Sequence, residues 1–323
     1  MLAQSFNDWE MLVADDGSKP SARSVVEAFD DPRLRYIRLD HVGRSAARNR
    51  ALGLAEGEYV GFLDDDDLYY PDKLAHEIDF LRSHPEVELV GSGYQIIDRE
   101  GLVQDIYTPW LQAPEIKPAN CLYGIPLITC GVLIARSATD RLDYFFDPAF
   151  DIGEDSDFFR RLILTGTRFG WLKEVLSDYR QIHEYDNATI PIARRNYQAS
   201  LRKIFQMDSL PADVAGQYQN ALVHFDLKYS WTAYAFHAEK TAQWFLLKAL
   251  IQEPRLASDQ RHVLLEELAI FSQNTHRVAD PDQFVEYVLS HLPSPLQHLA
   301  MKGDEVRKLI SSTNHDSILP PDS

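Results

Sequence analysis

The chain has 323 residues, 45% hydrophobic and 25% charged, the balance of a folded globular protein. Its 49 acids against 32 bases give a formal net charge of −17, which excludes a broad nucleic-acid-binding face, since phosphate contacts need concentrated Lys and Arg. Cys121 and Cys130 make neither a metal-ligand spacing nor a disulfide framework and point to a reducing compartment.

No secretory leader precedes the first acids, and the most apolar run, residues 121–135, is too short to span a membrane. A soluble, cytoplasmic protein is expected. Residues 1–5 are expected to be the tail of a helix, and 10–14 a short buried strand. That strand ends at Asp15-Asp16-Gly17-Ser18, which is either a plain turn or a pair of carboxylates able to accept hydrogen bonds from a base or ribose. A helix at 22–29 and a strand at 34–39 follow. Such βαβ units imply a mostly parallel sheet with helices on its faces.

Residues 41–52 open a helix, with Gly43 offering the turn and Ser45 a candidate N-cap. Arg44, Arg48 and Arg50 form a basic cluster in an acidic chain. They are either a solvated face or guanidinium groups directed at phosphate. Residues 59–63 have the character of a buried strand that stops at Asp64-Asp65-Asp66-Asp67. Consecutive carboxylates repel one another unless water or a cation neutralises them. Mg²⁺ and Mn²⁺ favour carboxylate oxygens and leave positions open for phosphate, and strand ends in open α/β sheets are where ligands bind. The plain alternative is an acidic, solvated loop leading into a helix with Pro71 and Asp72 in its first turn.

Residues 71–83 should form an amphipathic helix burying Leu74, Ile78 and Leu81, with charge opposite. Strands are expected at 87–94, 95–98 and 128–135, with a proline-rich surface excursion at 104–120 beside the site. The second acidic stretch is Gly153-Glu154-Asp155-Ser156-Asp157-Phe158-Phe159. Phe158, Phe159, Leu162 and Ile163 have helical spacing, so Glu154, Asp155 and Asp157 cluster at a helix N-terminus. They serve either as caps or as a general base, Asp155, with a second acid tuning it. A strand at 169–176 leads to Tyr179-Arg180 and His183, the last being a metal ligand, a phosphate contact or a surface histidine. Residues 194–311 carry helical periodicity, with Trp231, Phe245, Leu250, Leu264 and Leu289 among the expected core. Ala242, Leu246, Ala249 and Pro254 match one tetratricopeptide unit, too few to define an array.

In order, Gln4-Ser5-Phe6-Asn7-Asp8-Trp9-Glu10, Ala14-Asp15-Asp16-Gly17-Ser18, Ala47-Arg48-Asn49, Phe62-Leu63-Asp64-Asp65-Asp66-Asp67 and the stretch from Gly153 to Phe159 resemble the family 2 glycosyltransferases. The resemblance covers roughly residues 1–190, with Tyr179-Arg180 and His183 a softer match. It implies an α/β, GT-A-like, Rossmann-type mixed and mostly parallel sheet with flanking helices over 1–193, an all-α domain over 194–311 and a disordered tail at 312–323. It places Asp16, with Asp15 beside it, on the uracil-type base or its ribose, and Arg44, Arg48 and Asp65 among the donor-binding residues. Asp64 and Asp66 fit the family's metal-binding Asp-x-Asp, with Asp66 the more direct ligand of a diphosphate-bound Mn²⁺ or Mg²⁺. Asp155 falls at the catalytic base, with Glu154 next to it.

The implied reaction is an inverting, metal-dependent transfer from a nucleotide-diphosphate sugar, a UDP-sugar, to a hydroxyl acceptor in glycan, lipid-linked or polysaccharide synthesis. The helical domain is then left for peripheral membrane or protein contact, or for shielding the sheet. Two other readings compete. One is an inactive glycosyltransferase-like module that binds through its helical part. The other is a nucleotidyltransferase, which needs a glycine-rich N-terminal loop with a basic residue, and none is visible. The resemblance also implies a strand and loop before the helix that ends near Gln4, about 20–25 residues that this chain does not show. A misplaced start is the expected reason, and a missing strand would leave apolar surface and unpaired backbone.

Overall fold

The protein is described from a computed structural model, which covers residues 1–181, 188–257 and Phe284. His183, Leu264, Leu289 and the 312–323 tail lie outside the described residues. The chain separates into two compact units, one of Met1–His183 with Gln206–Val214, the other of Glu184–Phe205 with Ala215–Ser323.

In the first unit, β1 (Met11–Asp15) pairs in parallel with β2 (Leu34–Arg38), joined by α1 (Arg23–Glu27), as a two-stranded sheet of its own. Helix α2 (Arg44–Leu52) leads to the larger sheet, ordered β3 (Tyr59–Gly61), β7 (Val132–Ala135), β5 (Leu89–Ile97), β8 (Phe169–Arg180), β4 (Leu68–Tyr69), with β6 (Val103–Tyr107) on β5. The remaining helices of this unit are α3 (Lys73–Ser83), α4 (Pro118–Cys121), α5 (Arg136–Thr139) and α6 (Glu154–Leu164). The sheet is mixed, as expected. Among the described strands, however, β1–β2 and β5–β8 are parallel and the other four pairings antiparallel.

Alternation along β5 and β7 divides the core, because successive strand residues face opposite sides. Leu89 and Ile134 join Phe146, Phe158, Phe159 and Leu162 on the α6 side. Val90 and Leu133 join Leu74, Ile78 and Leu81 on the α3 side. Glycine is required on β5 where rings crowd it. A Cβ at Gly91 would lie 2.6 Å from the Trp171 ring, and one at Gly93 2.9 Å from the Tyr107 carbonyl.

Three expectations need correction. Residues 1–5 form a turn rather than a helix end; the buried Gln4 side chain donates to the Tyr70 carbonyl at 2.7 Å and accepts from the Leu74 amide at 3.0 Å. The two strands expected at 87–98 are one, β5. The 104–120 stretch is not an excursion throughout: its first residues belong to β6, paired with Tyr94–Ile97 of β5 at the Arg180 end of the sheet, and only then does the chain run to Trp110, which packs near Trp171, whose Nε1 donates to the Ala113 carbonyl at 2.7 Å. Trp171 and Arg180 stand at opposite ends of β8, about 30 Å apart at strand rise.

In the second unit, α7 (Thr189–Ile204), α8 (Tyr218–Ala235) and α9 (Glu239–Gln252) bury Trp231, Ala242, Phe245, Leu246 and Ala249. Buried Asp226 accepts from Arg194 at 2.5 and 3.0 Å and from Gln252 at 2.6 Å, which ties the three helices together.

Candidate active site

Phe62 seats the aspartate turn. Its ring meets Phe146 edge-on at 5.2 Å and Phe158 at 5.9 Å, so the apolar end of the strand is locked while the acids that follow project from it. The acids then diverge in environment. Asp65 is exposed, and Asp66 is half-buried and enters no ion pair among the described residues. Burial, followed by the charges of Asp65 and Asp64, pushes the Asp66 carboxyl above its ordinary range.

Asp67 turns inward and accepts from the Arg180 amide at 2.9 Å. Burial moves its carboxyl up to about 6. This fourth aspartate serves the fold. Cys130, the buried free thiol beside it, is raised by burial and then by Asp67, so it is inert rather than nucleophilic.

Arg48 joins the two acidic stretches. Its guanidinium reaches both Asp64 oxygens at 2.7 and 2.9 Å and Glu154 Oε1 at 2.8 Å. Glu154, with a side chain only 4% exposed, is raised by burial and by Asp155 and lowered by Arg48 and Arg44. Helix α2 holds this geometry through Asn49, bonded to both backbone groups of Phe146, and through Ser45, whose hydroxyl donates to the Phe150 carbonyl at 3.2 Å. Ser45 is therefore not the N-cap; Gly43, at φ 90°, holds that position.

At the start of α6 the N-cap is Gly153, at φ 78°. Asp155 is partly exposed and accepts from the Ser156 amide at 2.6 Å. Asp157 is buried and pairs with Arg161 at 2.8 Å, which in turn binds the Tyr144 carbonyl at 2.6 Å.

Asp15 requires a correction. Its side chain is 1% exposed and accepts from the Ser18 and Ala22 amides, Tyr36 Oη and Arg38 Nη1. The Tyr36 hydrogen bond, the largest influence, holds this carboxyl well below the usual range. A carboxylate so committed organises the loop and leaves no face for a ligand. Asp16 accepts from the Val42 and Gly43 amides at 2.6 and 2.8 Å and stays partly exposed. Arg48 is likewise committed to protein carboxylates, whereas Arg44 is 64% exposed and only 3.7 Å from Glu154.

Thr129 was not foreseen from sequence: its hydroxyl donates to Asp64 Oδ2 at 3.3 Å from 65 residues away, with no local pattern to announce it. Arg180, named above only within the softer match, binds the Asp66 carbonyl at 3.0 Å. A cleft of about 360 Å³ lined by Ile116, Phe169 and Trp171 lies at the opposite end of β8 and holds no acid cluster.

Acids thus gather at strand ends of a mixed sheet, joined through Arg48 to an acidic helix start, within a fold of the GT-A type. Residues 1–143 match the model for "Glycosyl transferase family 2". A relative from Bacillus subtilis, "Putative teichuronic acid biosynthesis glycosyltransferase TuaG", is 28% identical over 57% of this chain and 71% of its own. The Escherichia coli "UDP-Glc:alpha-D-GlcNAc-diphosphoundecaprenol beta-1,3-glucosyltransferase WfgD" is 29% identical over 44% of this chain, which spans only 52% of that relative. In fold, the chain is similar to S. aureus TarS residues 1–349 in complex with UDP-GlcNAc, with TM-score 0.60, 18% identity, and 93% and 85% of the two chains covered. It is similar also to the mannosyltransferase PcManGT of Pyrobaculum calidifontis in complex with GDP-Man and Mn²⁺, with TM-score 0.52, 18% identity, and 90% and 81% covered.

Proposed function

We propose that this domain transfers a sugar, with inversion, from a UDP-sugar to a hydroxyl acceptor in polysaccharide or other glycan synthesis. The observation that carries this reading is Arg48, which binds Asp64 and Glu154 at once and makes one site of two acidic stretches 90 residues apart. The donors named for WfgD and TarS support a uridine nucleotide.

The residues present fit a divalent cation. Asp65 and Asp66 are hard oxygen donors left without a protein cation, beside an Asp64 that Arg48 already neutralises. Among the described residues no three His, Cys, Asp or Glu side chains close a metal site, so donor phosphate oxygens and water would complete the set. Asp66 would be the main protein ligand, with Asp64 alongside and Asp65 turned to the donor. When bound, the cation would stabilise charge on the departing diphosphate.

Asp16 and Arg44 face the donor in this reading, the first towards the base or ribose and the second towards phosphate. Asp155 takes the acceptor hydroxyl's proton as the oxygen attacks the anomeric carbon and the bond to the diphosphate breaks. Glu154, buried against Arg48, fixes the start of α6 so that Asp155 keeps its place. By the same proposal the enzyme works in the cytoplasm, and the helical unit serves acceptor, membrane-surface or protein contact. No helix among the described residues is long and apolar enough to cross a membrane.

Calorimetric titration of UDP and UDP-sugars, with and without Mn²⁺, tests the reading. Binding should strengthen with Mn²⁺ in the wild type and lose that gain in Asp66→Ala. Equal metal-assisted binding by the variant would sink the assignment. Turnover abolished in Asp155→Asn with donor binding intact separates an enzyme from an inactive binding module.

A further inference from the structure

Arg180 stands where β8 ends, 114 residues from the acidic turn, and its side chain makes no ion pair among the described residues. Instead its guanidinium binds main-chain oxygens. Nε donates to the Asp66 carbonyl at 3.0 Å, and Nη1 to the carbonyls of Asp98 and Arg99 at 2.7 and 3.1 Å. Its own amide donates to Asp67 Oδ1 at 2.9 Å. A single residue thus links three strand ends: β8, the turn between β5 and β6, and the aspartate turn.

Among the described residues, the backbone bond within the aspartate turn is Asp67 N to the Asp64 carbonyl at 3.2 Å, and pairing to β8 resumes at Leu68 and Tyr69. The peptide that carries the Asp66 side chain therefore takes its tertiary support from Arg180. A guanidinium suits this task because its planar fork offers several fixed N–H directions, whereas an ammonium is a point charge on a mobile stem. The Arg180 charge also lowers the Asp66 carboxyl, against burial and the neighbouring acids.

We infer that Arg180 is a positioning residue of the donor site: by holding the Asp66 carbonyl against the β5–β6 turn, it fixes the direction in which Asp66 presents its carboxylate to a metal–diphosphate. This inference rests on the donor-site reading above. It assigns Arg180 no contact with the ligand and no role in proton transfer.

The test compares UDP titrations of wild type, Arg180→Gln and Arg180→Lys, each with and without Mn²⁺, alongside their melting temperatures. In Arg180→Gln the Mn²⁺-dependent gain in UDP affinity should fall about ten-fold or more, the usual effect of losing a group that orients a metal ligand. Metal-free UDP affinity should be unchanged, because Arg180 acts only through Asp66. A merely structural role would weaken both affinities together and is thereby told apart. Should Arg180→Gln not fold, Arg180→Lys decides, with a reduced gain expected at a near-normal melting temperature. A wild-type gain kept in full by either folded variant overturns the inference alone. A wild type with no Mn²⁺-dependent gain overturns the donor-site reading, and the inference with it.

Discussion

The Asn49 side chain closes a two-way ring on the backbone of Phe146: Nδ2 donates to the Phe146 carbonyl at 2.7 Å, and Oδ1 accepts from the Phe146 amide at 2.8 Å. Phe146 is fully buried, stacks on Phe158 at 4.4 Å and lies under the Arg48 guanidinium at 5.4 Å. The amide thus places the floor beneath the residue that unites the site. Asn49→Ala strips both partners from a buried peptide and should cost about 2–3 kcal/mol in urea unfolding. Asn49→Asp should cost a similar amount, because it sets a carboxylate oxygen against the Phe146 carbonyl.

Arg48→Met leaves Glu154 buried and without its close cation, and should destabilise the fold by about 3–5 kcal/mol. Adding Glu154→Gln to that variant should recover most of the loss, since the orphaned charge is then gone. A double-mutant cycle by denaturant unfolding measures the coupling. Purely additive effects would show that the two groups do not depend on each other.

Asp67 predicts a stability slope with pH. Its carboxyl stands at about 6 in the fold against an ordinary 3.8, so the folded state binds the proton more tightly than the unfolded chain. The stabilisation is fully present below the unfolded value and is lost as pH rises through about 6. The difference amounts to about 3 kcal/mol as an order of magnitude. Asp67→Asn can still accept from the Arg180 amide but cannot ionise, so it should gain on wild type between pH 4 and 7. Melting curves with a chelator present, taken across that range, check the divergence.

What the sequence made legible was charge crowded against apolar periodicity. Asp64 to Asp67 follow a strand and Glu154 to Asp157 precede Phe158, so each cluster could be placed on its element before any contact was known. How the clusters are satisfied was not legible. Arg48 reaches across 106 residues to Glu154, and Asp15 fills its lone pairs from Tyr36 and Arg38, pairings that no local spacing encodes.

Helix α3 misled for a different reason. Lys73 and Glu77 look like solvent-facing charges, yet both are fully buried, paired with each other and bonded through Ser92. Residue type predicts exposure only until a partner is supplied. Strand β4 was missed because only Leu68 and Tyr69 form it, directly after four acids.

The separation of β1 and β2 from the larger sheet bears on how the proposed donor side behaves before any ligand arrives. Among the described strands these two hydrogen-bond only to each other, and the Asp16 carboxylate that grips Val42 and Gly43 extends from the end of β1. Their ties to the rest include the Glu10 carboxylate on the Glu56 and Gly57 amides at 2.5 and 3.2 Å. A ladder this narrow can open as a cooperative piece while the wider sheet stays closed. Amide protons of Leu12 to Ala14 should therefore exchange with deuterium well before those of Leu89 and Val90, as mass spectrometry or NMR would record. A nucleotide seated on Asp16 would act as a fastener, slowing exchange in β1 and β2 and leaving β5 untouched, so that half of the pocket sets firm only once it is filled.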